Sequence, residues 1–530
     1  MQSPTELAGW QPSPTELAGW QALVSFFTSL ESSATPFARS LTLSPARFAE
    51  LDAHALSLTA LVGMEAGKVA MVKLVLVLLL AYPASALVRM LRPVAARHAA
   101  AAITGVLLAQ WLFGAHWVNL LVSSGVAYAL LAVARAMGGS AARCVHGLIV
   151  CWVLAYLLVV HAWRLQADYL GWSVAFDGPQ MVLTIKLWSL AFCLVDGTPA
   201  RRAKYAAAAA AAEAAGDARG AASLRGRLRR AQSELPSPLA FASYVFHPAT
   251  FFAGPALEFS DYSAALEARG GEAPALSAAL RKLLPSLFFL GCTVAAAPLG
   301  MGVESMLLPR AYPGGLGLLA HLARCHAVMF FARCKYFFGW LAAEGAGALA
   351  GFAAAAHGGG ARNIDLPAFE LARSTSGALR AWNVGAQSWL ARYCYERAPL
   401  PRGGRVAAVY ALSALWHGFY PGYYLAFASM PILQLLEAEL AARVQPRLQA
   451  LLPARLAAAL TAAAVAAGIS YFMVAFQLLS LERTLVAWAH MGYAGHAVMA
   501  ALLLALPLLP HSREARGKDG ARKGKEGKEE

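Results

Sequence analysis

Residues 411–427 read ALSALWHGFYPGYYLAF. An apolar run suited to a helix reaches His417 and stops at Gly418, and after Pro421 and Gly422 an equally apolar run continues to about residue 441. Proline lacks the amide hydrogen of a continuous helix and glycine favours departures from it, so the pattern predicts either one bent element or two half-helices meeting inside the protein. In hydrocarbon, a backbone break is tolerated only where protein or a cavity covers its polar groups. An ionisable side chain beside such a break is a functional candidate by default. His417 is therefore the first residue to follow. Any one of the 13 histidines is more often a hydrogen-bonded structural ring, and the break is what sets His417 apart.

The rest of the chain has the same apolar character. Of 530 residues, 59% are hydrophobic and only 14% charged, where soluble domains run near a quarter charged. A single water-soluble core is excluded. About 20 apolar residues cross a bilayer as a helix, which satisfies its own backbone hydrogen bonds. Candidate windows are 69–88, 100–115, 117–135, 145–163, 179–195, 283–299, 315–331, 336–356, 405–416, 423–441, 455–479 and 484–509. Some are too short to cross alone, and the set predicts an all-α, multi-pass integral membrane protein with about ten to eleven transmembrane helices.

The membrane domain is expected over residues 61–510, after an N-terminal segment, 1–60, and before a charged tail, 511–530. SPTELAGW at 3–10 recurs at 13–20, a local duplication rather than a solenoid repeat. No removable signal peptide is evident in the first 60 residues, so the first membrane segment is expected to act as its own insertion signal. The tail is Gly, Lys and Glu, hence predicted disordered, and carries neither a dilysine nor a KDEL retrieval signal. Residues 201–235 are expected as a basic, alanine-rich insert with partial helix and no chemistry.

Formal charge is +15, and its placement is informative. Residues 201–230 hold eight basic side chains against Glu213 and Asp217, and the tail holds seven against five acids. Basic loops stay on the cytoplasmic side, so the loop 201–230 and the tail are both predicted there. Nucleic acid is not an expected partner, because the basic run is interrupted by alanines and has one aromatic, Tyr205. The seven cysteines (Cys144, Cys151, Cys193, Cys292, Cys325, Cys334, Cys394) lack CxxC spacing and read as small buried hydrophobes; no metal site is predicted.

Between Asn363 and Arg405 the charged residues Arg373, Arg380, Arg392, Glu396, Arg397 and Arg402 fall among Trp382, Trp389, Tyr393 and Tyr395. Such a segment cannot face lipid, and its spaced aromatics favour short helices lining a polar cavity over a surface loop. The chain has only three asparagines, Asn119, Asn363 and Asn383, and Asn383 lies in this segment, 34 residues before His417. Alone, an asparagine there is more often a cap or turn residue.

ALWHGFYPGYYLAF resembles the histidine motif of membrane-bound O-acyltransferases, in the form of their lysophospholipid acyltransferase branch, which includes the lysophosphatidylcholine acyltransferases. AWNVGAQSWLARYCYERA (381–398) resembles that branch's asparagine motif. MVLTIKLWSLAFCLVDG (181–197), YVFHPATFFAGPALEFSDY (244–262) and KYFFGW (335–340) match in the same order, so the likeness runs from about residue 100 to 480. Two departures stand out. Gly385 occupies the place of the usual glutamine two positions after the asparagine, with Gln387 nearby, and the alanine-rich insert replaces a short loop.

The resemblance implies a helical membrane core around a buried reaction chamber in the endoplasmic reticulum membrane. It implies transfer of a fatty acyl chain from acyl-CoA, a co-substrate and not a bound cofactor, to the free hydroxyl of a lysophospholipid, lysophosphatidylcholine at its sn-2 position being the commonest acceptor. Carried over residue by residue, it makes His417 the catalytic histidine and Asn383 its companion. A glycerol hydroxyl is a poor nucleophile at neutral pH, and a base that removes its proton is worth roughly 10²–10⁴-fold. Asn383 orients the ring or the hydroxyl, or donates to the developing oxyanion; the sequence does not choose. Trp382, Trp416, Tyr420 and Tyr423 are candidates to shape the pocket, although packing is an equal reading of the last three. Lys335, with Arg333 and Arg324, is placed to meet CoA phosphates, although anchoring at a helix end is the commoner role. The bilayer is the remaining partner; a homodimer is compatible with the sequence but not readable from it.

A multi-pass transporter also uses broken helices, but it favours paired half-helices in both halves of the chain, and one such break is present. Soluble-type glycerolipid acyltransferases are excluded, since no histidine has Asp five positions later. HExxH and GxSxG are missing too. Acyl transfer to a neutral lipid or a protein stays as the alternative within the family.

Overall fold

The computed structural model describes residues 36, 38–268, 275–308, 317–355 and 361–508. The duplication at 3–20 and the tail from 511 lie outside the described residues. Apolar runs become helices, and among the described residues the only β pairing is an isolated antiparallel bridge between Ile364 and Trp382. In chain order the elements that frame the site are α1 (Val69–Met90), α2 (Val94–Phe113), α3 (Trp117–Met137), α4 (Gly139–Ala167) and α5 (Asp177–Asp196). They continue with α6 (Pro199–Ala214), α7 (Ala218–Arg230), α8 (Leu276–Ala295), α9 (Gly317–Leu349), α10 (Arg402–His417), α11 (Pro421–Arg443) and α12 (Ala454–Leu478).

Among the described residues, seven stretches are long and apolar enough to cross a membrane, or eight if Leu481–His490 and Ala494–Leu508, bent by 80°, form one span. This is fewer than the ten to eleven the windows predict, for identifiable reasons. One stretch, Val94–Met137, takes in both windows at 100–115 and 117–135, with Gly114 at φ 56° closing α2 between them. Windows 315–331 and 336–356 merge into α9, which carries Arg324, Arg333, Lys335 and Glu344. Helix α10 is 16 residues long, about 24 Å, short of the hydrocarbon thickness.

The membrane helices keep their outer faces apolar: Leu87, Ile103, Val133, Leu284, Phe288 and Leu460 are 46–64% exposed. Such a belt is a liability in water and the natural lipid face of a membrane protein. Charges turn inward instead. Lys186 of α5 is fully buried and donates to the Tyr244 carbonyl and to Thr250 Oγ1, both at 2.9 Å. Glu344 of α9 accepts from Lys282 Nζ at 2.6 Å and from the amides of Asn363 and Ile364 at 2.7 and 3.1 Å. All seven cysteines are unpaired, but Cys144 and Cys151 are exposed rather than buried, because they fall on the outer face of α4.

Residues 201–235 are more ordered than the expected partial helix. Helices α6 and α7 form a hairpin, favoured by their alanine, arginine and leucine content. Asp217 caps α7 by accepting from Gly220 N, and Arg227, Arg229 and Arg230 fall in its last turn, where cations complement the helix dipole. The hairpin is docked on the body: Tyr205 donates to Asp196 at 3.0 Å, and Arg227 meets Glu396 at 3.1 Å.

Candidate functional site

At the break the structure has two separate helices, the second of which, α11, is itself long and apolar enough to cross a membrane. Helix α10 ends as Gly418 N donates to the carbonyls of Ala414 and Leu415, with Gly418 at φ 121°. Helix α11 starts at Pro421, whose fixed φ and missing amide hydrogen suit a first helical position. Helix α11 rests directly on the end of α12. Gly422 N donates to Leu479 O at 2.7 Å, and a Cβ on Gly422 would lie only 2.1 Å from the Ala475 carbonyl oxygen.

His417, the last residue of α10, is ringed by Trp416, Phe427, Phe476 and Tyr423, with ring centroids 4.7–5.6 Å from its own. Among the described residues no hydrogen bond engages either of its ring nitrogens. It is half-buried and opens on a cavity also lined by His161, Arg164, Trp172, Asp177, Tyr420 and Tyr423. Arg164 donates to the Ser173 carbonyl at 2.8 Å and pairs with Asp168 at 3.0 Å and, more loosely, with Asp177 at 3.8 Å. Asp168 in turn accepts from the amide and hydroxyl of Ser173, and Tyr420 Oη accepts from Leu170 N at 2.8 Å. These bonds hold the loop 168–176 against the cavity. An imidazole with a free lone pair facing a polar chamber is suited to take a proton from a hydroxyl held there.

Asn383 is not among the residues lining this cavity. It lies between two short helices, Thr375–Ala381 and Val384–Trp389, after which the chain makes a π-helical turn, Leu390–Tyr395. The polar segment is thus a set of short helices, with Trp389 and Tyr393 buried. Asn383 is left-handed, φ 44° and ψ 56°, a region asparagine tolerates better than most residues. Its Oδ1 caps Val384–Trp389 by accepting from Ala386 N at 3.4 Å. Two of the three asparagines meet here, since Val384 N donates to Asn363 O at 2.8 Å and Asn363 Nδ2 to Ala253 O at 3.2 Å.

Tyr420 and Tyr423 line the cavity; Trp416 does not, being buried with Nε1 donating to Met181 O at 3.1 Å. Trp382 belongs to an aromatic cluster with Trp340, Phe369, Tyr336 and Phe337. Lys335 Nζ lies 3.4 Å from the ring centroid of Trp172, at the cavity edge, and donates to Gln477 Oε1 at 3.2 Å. Gln477 Nε2 reaches Tyr336, so a line of contacts joins the cavity to Trp382, the neighbour of Asn383. Arg333 is committed to a two-fold pairing with Glu370 at 2.8 Å, and Arg324 donates to Gly300 O.

His161, Arg164 and Asp177 are site residues that the sequence reading passes over. The available signal was the i, i+3 spacing of His161 and Arg164 at the end of an apolar run, which puts both on one helix face. It is shared by many helix ends.

Comparison with known proteins agrees with this architecture. The model of the membrane-bound O-acyltransferase family matches residues 147–481. The chain is 29% identical over 455 residues to membrane-bound glycerophospholipid O-acyltransferase 2 of Rattus norvegicus, covering 80% of this chain and 81% of that one. It is 28% identical over 451 residues to membrane-bound glycerophospholipid O-acyltransferase 1 of Homo sapiens, covering 79% and 84%. Over 471 residues it is 28% identical to a human membrane-bound acylglycerophosphatidylinositol O-acyltransferase, covering 82% and 93%. A family match over more than half of the chain, on a helical membrane protein with its histidine at a buried helix break, places the chain in the membrane-bound O-acyltransferase family.

Proposed function

We propose that this protein transfers a fatty acyl chain from acyl-CoA to the free hydroxyl of a lysophospholipid, with His417 as general base. The observation that carries the reading is the unengaged His417 imidazole, held by four aromatic rings at a helix break and facing a polar cavity. In the reaction, His417 removes the proton of the acceptor hydroxyl as its oxygen attacks the thioester carbonyl. The tetrahedral oxyanion collapses, the C–S bond breaks, and the proton passes from the imidazolium to the CoA thiolate. The products are a diacyl phospholipid and CoA thiol.

Asn383 lies outside the cavity that His417 faces and shares no hydrogen bond with its ring among the described residues. It is therefore proposed as donor to the oxyanion or the hydroxyl of a substrate that reaches beyond that cavity, rather than as orienter of the ring. Its Oδ1 is taken up by the cap, which leaves Nδ2 as the group with hydrogens to give. Tyr420, Tyr423, Trp382 and Lys335 are proposed substrate contacts, Lys335 as a cation toward the acyl-CoA side.

Lysophosphatidylcholine, acylated at sn-2, is the first acceptor to test, and phospholipid remodelling in the endoplasmic reticulum is the proposed setting. The relatives' names include an acylglycerophosphatidylinositol enzyme, so the panel must span head groups. Microsomes expressing the chain are given one labelled acyl-CoA with lysophospholipids carrying choline, ethanolamine, serine, inositol or no head group. Labelled diacyl product above vector controls, greatest with choline, is expected; no product with any acceptor would overturn the reading.

A further inference from the structure

The carbonyls of a helix's last turn have no intrahelical partner and must find one elsewhere. In α10 that turn carries His417, and the Trp416 carbonyl just before it is satisfied from a distant part of the chain. His161 of α4, only 5% exposed, places its Nε2 at 3.0 Å from Trp416 O, across 255 residues of sequence. A carbonyl only accepts, so Nε2 carries the hydrogen.

A second, independent observation fixes the same ring. A Cβ built on Gly418 would lie 3.3 Å from both Cγ and Nδ1 of His161, tighter than ordinary contact. The ring thus crowds the space that a side chain at 418 would take, while its Nε2 bonds to the residue before His417. It also lines the cavity itself.

We infer that His161 is a positioning residue for His417: it holds the final turn of α10 through the Trp416 carbonyl and sets the direction in which the His417 imidazole faces the cavity. His161 is a clamp and transfers no proton. The inference rests on the proposed role of His417 as base. A base misplaced by about 1 Å costs on the order of 10²-fold in rate while barely altering how substrates bind, so the expected signature is a loss in kcat.

The test uses the full-length protein in detergent or microsomes and three substitutions. Glutamine places an N–H donor where the histidine Nε2 lies, asparagine is too short to reach it, and alanine removes it. His161→Ala and His161→Asn should lower kcat by tenfold or more, with KM for acyl-CoA and lysophospholipid within about threefold of wild type. His161→Gln should recover to within about threefold of wild type. A second readout is independent of turnover: labelling of His417 by diethylpyrocarbonate, followed by mass spectrometry, should change at least threefold in the alanine and asparagine variants and little in the glutamine variant. Should His161→Ala fail to accumulate, the glutamine and asparagine pair decides. Equal kcat and equal His417 labelling in wild type and asparagine variant would overturn the inference, as would equal impairment of glutamine and asparagine. Absence of turnover by wild type with every acceptor would overturn the functional reading alone, since His417 labelling still reports its position.

Discussion

Asp196 and Arg397, 201 residues apart, share two hydrogen bonds, Nη1 to Oδ1 at 3.1 Å and Nη2 to Oδ2 at 2.5 Å. Their side chains are 3% and 13% exposed. The pair ties the end of α5 to the segment that follows Asn383, and the guanidinium also lies 4.6 Å from the ring centroid of Phe192. Removing one partner leaves a buried charge alone, which costs about 3–5 kcal/mol. Asp196→Asn should therefore lower the melting midpoint of the detergent-solubilised protein sharply. Arg397→Lys should do much the same, because lysine cannot make the forked contact. Melting curves unchanged in both variants would show that the pair does not hold these segments together.

Asn383 combines a left-handed backbone with a capping side chain, so alanine there confounds strain, cap and donor. Asn383→Asp keeps the capping oxygen and loses the amide hydrogens. It should fold and insert normally while activity drops about 10²-fold or more, the usual loss for one transition-state hydrogen bond. Near-normal turnover by the correctly inserted aspartate variant would leave Asn383 with its cap alone.

For His417 the expectation is absolute. His417→Ala and His417→Gln should both lose lysophospholipid-dependent release of CoA thiol, since glutamine retains hydrogen bonding but no useful base. Expression, insertion and acyl-CoA binding should persist. Release at near wild-type rate in the alanine variant would remove His417 from the chemistry.

The two glycines Gly422 and Gly403 should respond oppositely to alanine. At Gly422 the added methyl meets the Ala475 carbonyl at 2.1 Å, so backbone must shift, at about 1–3 kcal/mol or more. At Gly403, inside α10, the new Cβ has no atom within 4 Å, and alanine is the better helix former by up to about 1 kcal/mol. Thermal melting of both variants checks this, and equal melting would refute the close approach of α11 to α12.

Topology follows from charge. The α6–α7 hairpin and the tail from 511 should face the cytoplasm, with an even number of crossings between them. A single cysteine introduced at Ala222 in a cysteine-free background should react with an impermeant maleimide in sealed microsomes, and protease should clip the tail. Protection of either site alone would overturn the shared orientation.

What the sequence by itself determined was local: apolar runs of helical length, the Gly-Pro-Gly interruption after His417, the outlying Asn383 and the clustering of basic residues at 201–230 and in the tail. Each depends on neighbours in the chain, on the need of a backbone in lipid to satisfy itself, and on which residues tolerate a break. Tertiary structure alone decided the rest. That Asp196 meets Arg397, that His161 caps the turn bearing His417, and that Gly422 lies under Ala475 are contacts across 53 to 255 residues. Which apolar windows join into one helix, as those at 315–331 and 336–356 do in α9, was likewise settled only in the structure. Such contacts are set by how the helices pack, and a one-dimensional pattern of polarity holds no information about which buried carbonyl a distant histidine will face.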